Sequence, residues 1–140
     1  MKARRSAPRY VNKLSNRIRR ELDSNPREQQ MSSASAKVLG FLLDTDGPIY
    51  QRDIEEEFGI RPPSATALLK KLEDEGFIVR KSMEGDGRYK EIVVTDKGLV
   101  MKDVVCGRIT SLEEKVCKGI SEEDLETFLN VIEKMIENMT

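Results

Sequence analysis

Residues 61–78 read Arg61-Pro62-Pro63-Ser64-Ala65-Thr66-Ala67-Leu68-Leu69-Lys70-Lys71-Leu72-Glu73-Asp74-Glu75-Gly76-Phe77-Ile78. Ala65, Leu68, Leu69 and Leu72 recur at helical spacing and predict a helix with that inner stripe. The two prolines fit its first turn, where the backbone N–H groups have no intrahelical partner. Gly76 ends it. Upstream, Gln51–Phe58 places Ile54 and Phe58 on one face of a shorter helix that stops at Gly59. Downstream, the runs Phe77–Met83 and Glu91–Thr95 flank Glu84-Gly85-Asp86-Gly87, the pattern of a hairpin around a turn. Helix, tight turn, second helix and hairpin together make Ile49–Gly98 a helix-turn-helix followed by a basic β-wing.

In that motif the second helix offers its outer face to the major groove of double-stranded DNA. The residues opposite the leucine stripe are Pro63, Ser64, Thr66, Ala67, Lys70 and Lys71. Hydroxyls suit base edges or phosphates, and lysines suit phosphates. Arg61, just before the helix, reaches either. On the hairpin, Arg80 and Lys81 occupy one strand, and Arg88 and Lys90 follow the turn. Arg88 beside Gly87 on a protruding loop is placed to probe a narrow minor groove, where negative potential concentrates. Each feature has a plainer reading. Basic hairpin residues also protect sheet edges, and Lys70 and Lys71 beside Glu73, Asp74 and Glu75 also make an ordinary solvated helix face. Their ordered co-occurrence is what favours DNA.

Outward from this segment the chain is helical. Val11, Leu14, Ile18 and Leu22 predict an amphipathic helix over Pro8–Asp23, broken by Asn25-Pro26. Ser32 or Ser33 caps a helix to about Asp44 that buries Val38, Leu39, Leu42 and Leu43. Asp46-Gly47-Pro48 is a turn, and Ile49-Tyr50 a short strand. Thr95 caps one long helix from Asp96 to about Lys118, with Met101, Val105, Ile109, Leu112 and Val116 on one face. Gly119 breaks it. Ser121-Glu122-Glu123-Asp124 resembles a capping box, and Leu125, Phe128, Leu129, Ile132, Met135, Ile136 and Met139 form a strong stripe after it. One small winged helix cannot cover all these stripes, so the terminal helices are expected to form an interface. The expected fold class is mainly α with a small β-hairpin. Its organisation is a basic arm and dimerisation helix over 1–32, a winged helix-turn-helix over 33–98, and dimerisation helices over 99–140.

The chain has 140 residues, of which 38% are hydrophobic and 35% charged, and a net charge of −1. That near-neutral sum hides a segregation. Lys2, Arg4, Arg5, Arg9, Lys13, Arg17, Arg19 and Arg20 occur before the first acid at Glu21, whereas Glu122, Glu123, Asp124, Glu126, Glu133 and Glu137 dominate the end. Local basicity, not the global sum, governs attraction to a phosphate backbone. The absence of histidine removes the commonest metal ligand and general base. No metal, cofactor or enzymatic activity is expected. No apolar run reaches the length of a membrane span, and the basic start is followed by no apolar leader segment. Two cysteines suit a reducing cytoplasm. Cys106 and Cys117 lie about 16 Å apart along the expected long helix, which excludes an intrachain disulfide. A bridge across a dimer stays open beside the plainer reading of buried thiols.

The motif residues resemble the MarR family of winged-helix regulators over about Ala34–Met139. Ser64-Ala65-Thr66-Ala67-Leu68-Leu69-Lys70-Lys71-Leu72-Glu73-Asp74-Glu75-Gly76 is similar to that family's second helix, with its Leu-Leu-x-x-Leu-Glu-x-x-Gly. Asp86-Gly87-Arg88, then Ile92-Val93-Val94-Thr95-Asp96-Lys97-Gly98, is similar to its wing and Leu-Thr-x-x-Gly segment. The resemblance implies a homodimer of intertwined terminal helices, with Arg88 entering the minor groove and Asp86 orienting the wing. It implies a repressor on a pseudo-palindromic operator, released by a small amphipathic or phenolic effector. The effector cleft would lie between dimer helices and winged helix, near Tyr10, Leu14, Ile18, Phe41, Met101 and Val105. Ala67 and Pro62-Pro63 depart from the family pattern, which shifts weight from direct base contacts to the wing and to DNA shape. The alternative is a winged-helix module that binds protein instead of DNA.

Overall fold

A computed structural model describes residues 4–24, 31–83 and 86–140, with side chains left out at 83 and 86–89. Its elements are α1 (Ala7–Asp23), α2 (Ser33–Asp44), α3 (Gln51–Phe58), α4 (Pro62–Asp74), β1 (Ile78–Met83), β2 (Asp86–Val94), α5 (Asp96–Val100), α6 (Lys102–Val116) and α7 (Glu122–Asn138). Side-chain caps fix three of the helix starts. The N–H of Ser35 bonds the Ser32 hydroxyl at 3.2 Å, Gly98 bonds Thr95 at 3.2 Å, and Asp124 bonds Ser121 at 3.1 Å. Each such cap satisfies a donor that a helix end otherwise leaves open.

The core lies where α2, α3, α4, the hairpin and α6 converge. Leu39 of α2, Ile54 of α3, Leu69 and Leu72 of α4, Ile78 of β1 and Val105 of α6 are fully buried there. Burying each such side chain stabilises the fold by about 1.5–3 kcal/mol. Between α3 and α4 the chain reverses at Gly59, which takes φ 60° and ψ 37°. That left-handed conformation is open to glycine at little cost, so the tight turn of the motif depends on this residue. β1 and β2 pair antiparallel with Ile78 opposite Val94, Arg80 opposite Ile92 and Ser82 opposite Lys90.

A compact joint ties the end of α4 to the hairpin and to α5. The Thr95 hydroxyl donates to the Gly76 carbonyl at 2.6 Å, and the Lys97 ammonium donates to the Glu75 carbonyl at 2.7 Å. The same ammonium sits 5.0 Å from the centre of the Phe77 ring. Gly98 is buried against the Phe77 carbonyl, and a Cβ there would lie 2.6 Å from Val94 Cγ1. The carbonyls that end α4 thus receive donors from the segment that begins α5.

This joint accounts for the main departure from the expected helix over Asp96–Lys118. The helix divides at Met101, which has φ −78° and ψ −5° and bonds the Gly98 carbonyl. α5 is held against the hairpin, while α6 runs along α2, so one straight axis cannot serve both. β2 begins at Asp86, earlier than the expected Glu91, so Asp86 and Gly87 belong to the strand and not to the turn. The pairing shifts register between Ser82 and Met83. The expected strand at Ile49-Tyr50 reduces to a single ladder bond, from the Ile92 N–H to the Ile49 carbonyl at 2.8 Å.

The terminal helices are unlike the centre. Neither α1 nor α7 buries a residue. α1 rests on α6 and α2, and α7 makes at most glancing contact with the rest of its own chain. Phe128, Leu129, Val131 and Ile136 of α7 and Tyr10, Val11 and Leu14 of α1 are left exposed.

Candidate nucleic-acid interface

α4 turns its leucines inward, which leaves a polar strip outside. Arg61, Pro63, Ser64, Thr66, Ala67, Lys70 and Lys71 are all exposed along it. Lys70 makes an i,i+4 ion pair with Asp74 at 3.7 Å, an exposed pair of small energetic weight. Thr66 is engaged more firmly. Its hydroxyl donates to the Pro62 carbonyl at 2.9 Å and accepts from the Gln51 amide at 3.0 Å. Gln51 also donates to the Pro62 carbonyl at 3.3 Å and to Glu55 at 3.2 Å. The Thr66 donor is therefore spent within α4, and the bond it accepts from Gln51 ties α3 to α4. Ser64, Lys70 and Lys71 are left as the hydrogen-bonding side chains of the helix face.

The hairpin brings a second set of cations to the same side. Arg80 and Lys90 lie on the hairpin face that carries the core residues Ile78 and Ile92, because side chains alternate along a strand. Beyond the core this face walls a groove of about 320 Å³ with Tyr50, Gln51 and Arg52 from the start of α3. Arg80 is half-buried and ion-paired with Glu73 of α4 at 3.7 Å, which ties the hairpin to the helix. Lys90 and Arg52 are exposed. Asp86 and Arg88 belong to β2 by backbone, but their side chains lie outside the described residues. Gln51 and Arg52 were not among the residues expected from sequence. Their signal was position alone, at the start of the first helix of the motif.

Known proteins share this fold. A family model described as MarR family matches residues 29–88, the segment that holds α2, α3, α4 and β1. YwoH of Bacillus subtilis (strain 168), described as an uncharacterized HTH-type transcriptional regulator, is 26% identical over 97 residues, which cover 69% of this chain and 70% of its own. Residues 29–88 thus carry the MarR-family pattern. Structural likeness carries the same fold to both ends. S. aureus MepR in DNA-binding conformation aligns with TM-score 0.87 at 20% identity, over 97% of this chain and 100% of its own. MepR has also been solved in complex with DNA. CouR from Rhodococcus jostii RHA1, bound to p-coumaroyl-CoA, aligns with TM-score 0.78 at 18% identity, over 90% and 88% of the two chains.

The residues expected to line an effector cleft do not gather in one place. Val105 and Met101 are core residues. Phe41 packs edge-on against Phe58, with ring centres 5.9 Å apart. Tyr10 is exposed. Leu14 and Ile18 line a small hollow of about 160 Å³ against Leu112 and Val116 of α6. Larger clefts open beside it. One of about 370 Å³ is lined by Glu21, Leu22, Arg108, Ser111, Leu112 and Lys115. Its neighbour, of about 360 Å³, shares Leu22 and Arg108 and reaches the start of α2 at Met31 and Ser32. Cys106 is exposed and Cys117 half-buried, and both are free thiols, so the expectation of a buried thiol fails for Cys106. Among the described residues no cluster of histidine, cysteine or carboxylate has the grouping of a metal site. No helix among them is long and apolar enough to cross a membrane.

Proposed function

We propose that this chain is a MarR-family, DNA-binding transcriptional repressor that grips a pseudo-palindromic operator as a homodimer and releases it on binding a small amphipathic ligand. The observation that carries the reading is the exposed strip of Arg61, Ser64, Lys70 and Lys71 on α4, linked through the Thr66–Gln51 contact to a groove where Arg52 and Lys90 stand beside one acid, Glu55. α4 enters the major groove. The groove beside it receives the phosphate strand, and the wing, with Arg88 and Asp86, reaches the adjacent minor groove. Ala67 and Pro63 offer little hydrogen bonding, so shape readout carries much of the specificity. MepR, whose fold this chain shares, has been solved with DNA.

The dimer is supported by the exposed apolar side chains of α1 and α7, among them Tyr10, Val11, Phe128, Leu129, Val131 and Ile136, which a second copy would cover. The working division is 1–32 and 99–140 for dimerisation and 33–98 for DNA. The ligand would occupy the clefts around Leu22, Arg108 and Leu112, which lie between the dimerisation helices and the start of α2. CouR, of like fold, has been solved with a bound acyl thioester. We read the chain as a cytoplasmic binding protein and not an enzyme, in keeping with its lack of histidine. Selection of random duplexes by the full-length protein, followed by footprinting, tests the proposal. The expected product is a two-fold site with half-sites roughly 34–36 Å apart, or a multiple of that. Recovery of unselected sequence, with a stable complex to another protein, would favour the protein-binding alternative.

A further inference from the structure

α1 has two sides with opposite chemistry. Leu14, Ile18 and Leu22 follow one side and meet α6, where Leu112 and Val116 line the shared hollow. Arg9, Lys13 and Arg20 follow the other, with Arg17 at its edge beside the hollow, and the steps of i+4, i+4 and i+3 put successive charges about 6, 6 and 4.5 Å apart along the axis. Those intervals are comparable to the step between phosphates along one nucleic-acid strand. No acid precedes Glu21 in the chain, and Glu21 itself is taken by Lys115 of α6 at 2.8 Å. Among the described residues Lys13 meets only the face of Tyr10, at 5.2 Å. Arg9 meets only a backbone carbonyl, that of Arg4, at 3.3 Å. Arg17 and Arg20 enter no ion pair there.

The location matters as much as the charge. α4 packs on α3, α2 and β1, whereas α1 packs on α6 and α2. The cationic row therefore does not belong to the reading face. Basic amphipathic helices often lie on membranes, but they do so by inserting their apolar side. Here that side is turned toward α6, and its exposed edge at Tyr10, Val11 and Leu14 is what a second copy would cover. Only the charged side is free, and a charged side without an apolar one suits a polyanion.

We propose that the outer side of α1, through Arg9, Lys13, Arg17 and Arg20, is a second nucleic-acid surface that docks the phosphate backbone of duplex DNA apart from the recognition helix. It adds non-specific affinity and allows the dimer to hold flanking or second-segment DNA. It does not depend on sequence recognition by α4.

The test uses full-length protein and the variant R9Q/K13Q/R20Q, since glutamine keeps helix propensity and Arg17 also lines the hollow against α6. A reading-face variant, K70Q/K71Q/K90Q, runs beside it. Binding to non-operator duplex is followed by fluorescence anisotropy over a salt series, and oligomeric state by sedimentation. The α1 variant is expected to lose about tenfold or more in non-operator affinity, with the salt slope falling by about 0.9 for each phosphate contact removed. The reading-face variant is expected to keep salt-sensitive non-operator binding. An α1 variant with wild-type affinity and slope overturns the inference. So does a monomeric α1 variant, which would assign these cations to the acidic first turn of the partner copy's α7. Loss of all duplex binding by the reading-face variant overturns it as well, and leaves the proposed function standing. Operator selection failing in the wild-type protein, while the α1-dependent slope persists, would sink the proposed function and leave this surface in place.

Discussion

The middle of the chain and its two ends use apolar residues in opposite ways. In the winged helix, Leu39, Ile54, Leu69, Leu72 and Ile78 are sealed by neighbours from the same chain. At the ends, the stripe of α7 is as regular but faces solvent, and α7 scarcely touches its own chain. Helix periodicity is the same signal in both places. What differs is whether the chain supplies a covering surface. The central unit is a core in the ordinary sense, whereas α1 and α7 carry apolar faces that their own chain leaves uncovered, and in the proposed dimer their stability would depend on protomer concentration.

The largest expected effect comes from breaking the second kind of surface. Leu129→Asp places a carboxylate in the face that the partner copy is to cover. Burial of an unpaired charge costs roughly 3–5 kcal/mol, incurred at both symmetry-related sites. Sedimentation at micromolar protein should show monomer, with operator affinity lost because half-sites are no longer linked. A variant that remains dimeric would remove α7 from the interface. In the central unit the sharpest probe is Gly98→Ala. Alanine favours a helix over glycine by about 1 kcal/mol, yet here its Cβ meets the Phe77 carbonyl and Val94. Backbone cannot swing aside as a flexible side chain does, so we expect a net destabilisation of about 2 kcal/mol, read from the urea midpoint. Unchanged or raised stability would mean that the joint between α4, the hairpin and α5 is looser than its geometry.

What was legible in the sequence follows the same division. α4 and the hairpin could be read directly because their signals are local: a leucine stripe at helical spacing, Gly59 and Gly76 as stops, and β-branched runs around a turn. The break at Met101 could not, because it arises from Gly98 packing on Phe77, a contact between residues far apart in sequence. The engagement of Thr66 was hidden for the same reason, since its partner Gln51 lies on another helix. The expected cleft residues failed to gather because helical spacing says which side of α6 is apolar but not what covers it. Val105 and Met101 meet the core, while Leu112, further along, meets α1.

A prediction of intermediate size separates DNA binding from dimerisation. Arg88→Ala should weaken operator binding by about tenfold while the dimer and its unfolding midpoint stay as in the wild type. It should do so unevenly among operators, with the greatest loss where the minor groove under the wing is narrow. An equal loss on every duplex would make Arg88 a phosphate contact and not a groove probe.

The smallest expected effect bears on how the central unit holds its reading helix. Gln51 has two amide donors and reaches the Pro62 carbonyl, the Thr66 hydroxyl and Glu55 within 3.3 Å. These groups are partly exposed, so Gln51→Ala should cost only about 0.5–1 kcal/mol of stability, water replacing much of what is lost. Its consequence for DNA should be larger than for the fold. Once Gln51 is gone, the Thr66 oxygen loses a donor and the angle between α3 and α4 is less constrained. Discrimination between operator and single-base variants should then narrow while non-operator affinity holds, because phosphates tolerate small rotations of a helix better than base edges do. If specificity and affinity fall together, Gln51 touches DNA itself, and the groove at the start of α3 is part of the contact surface and not only its support.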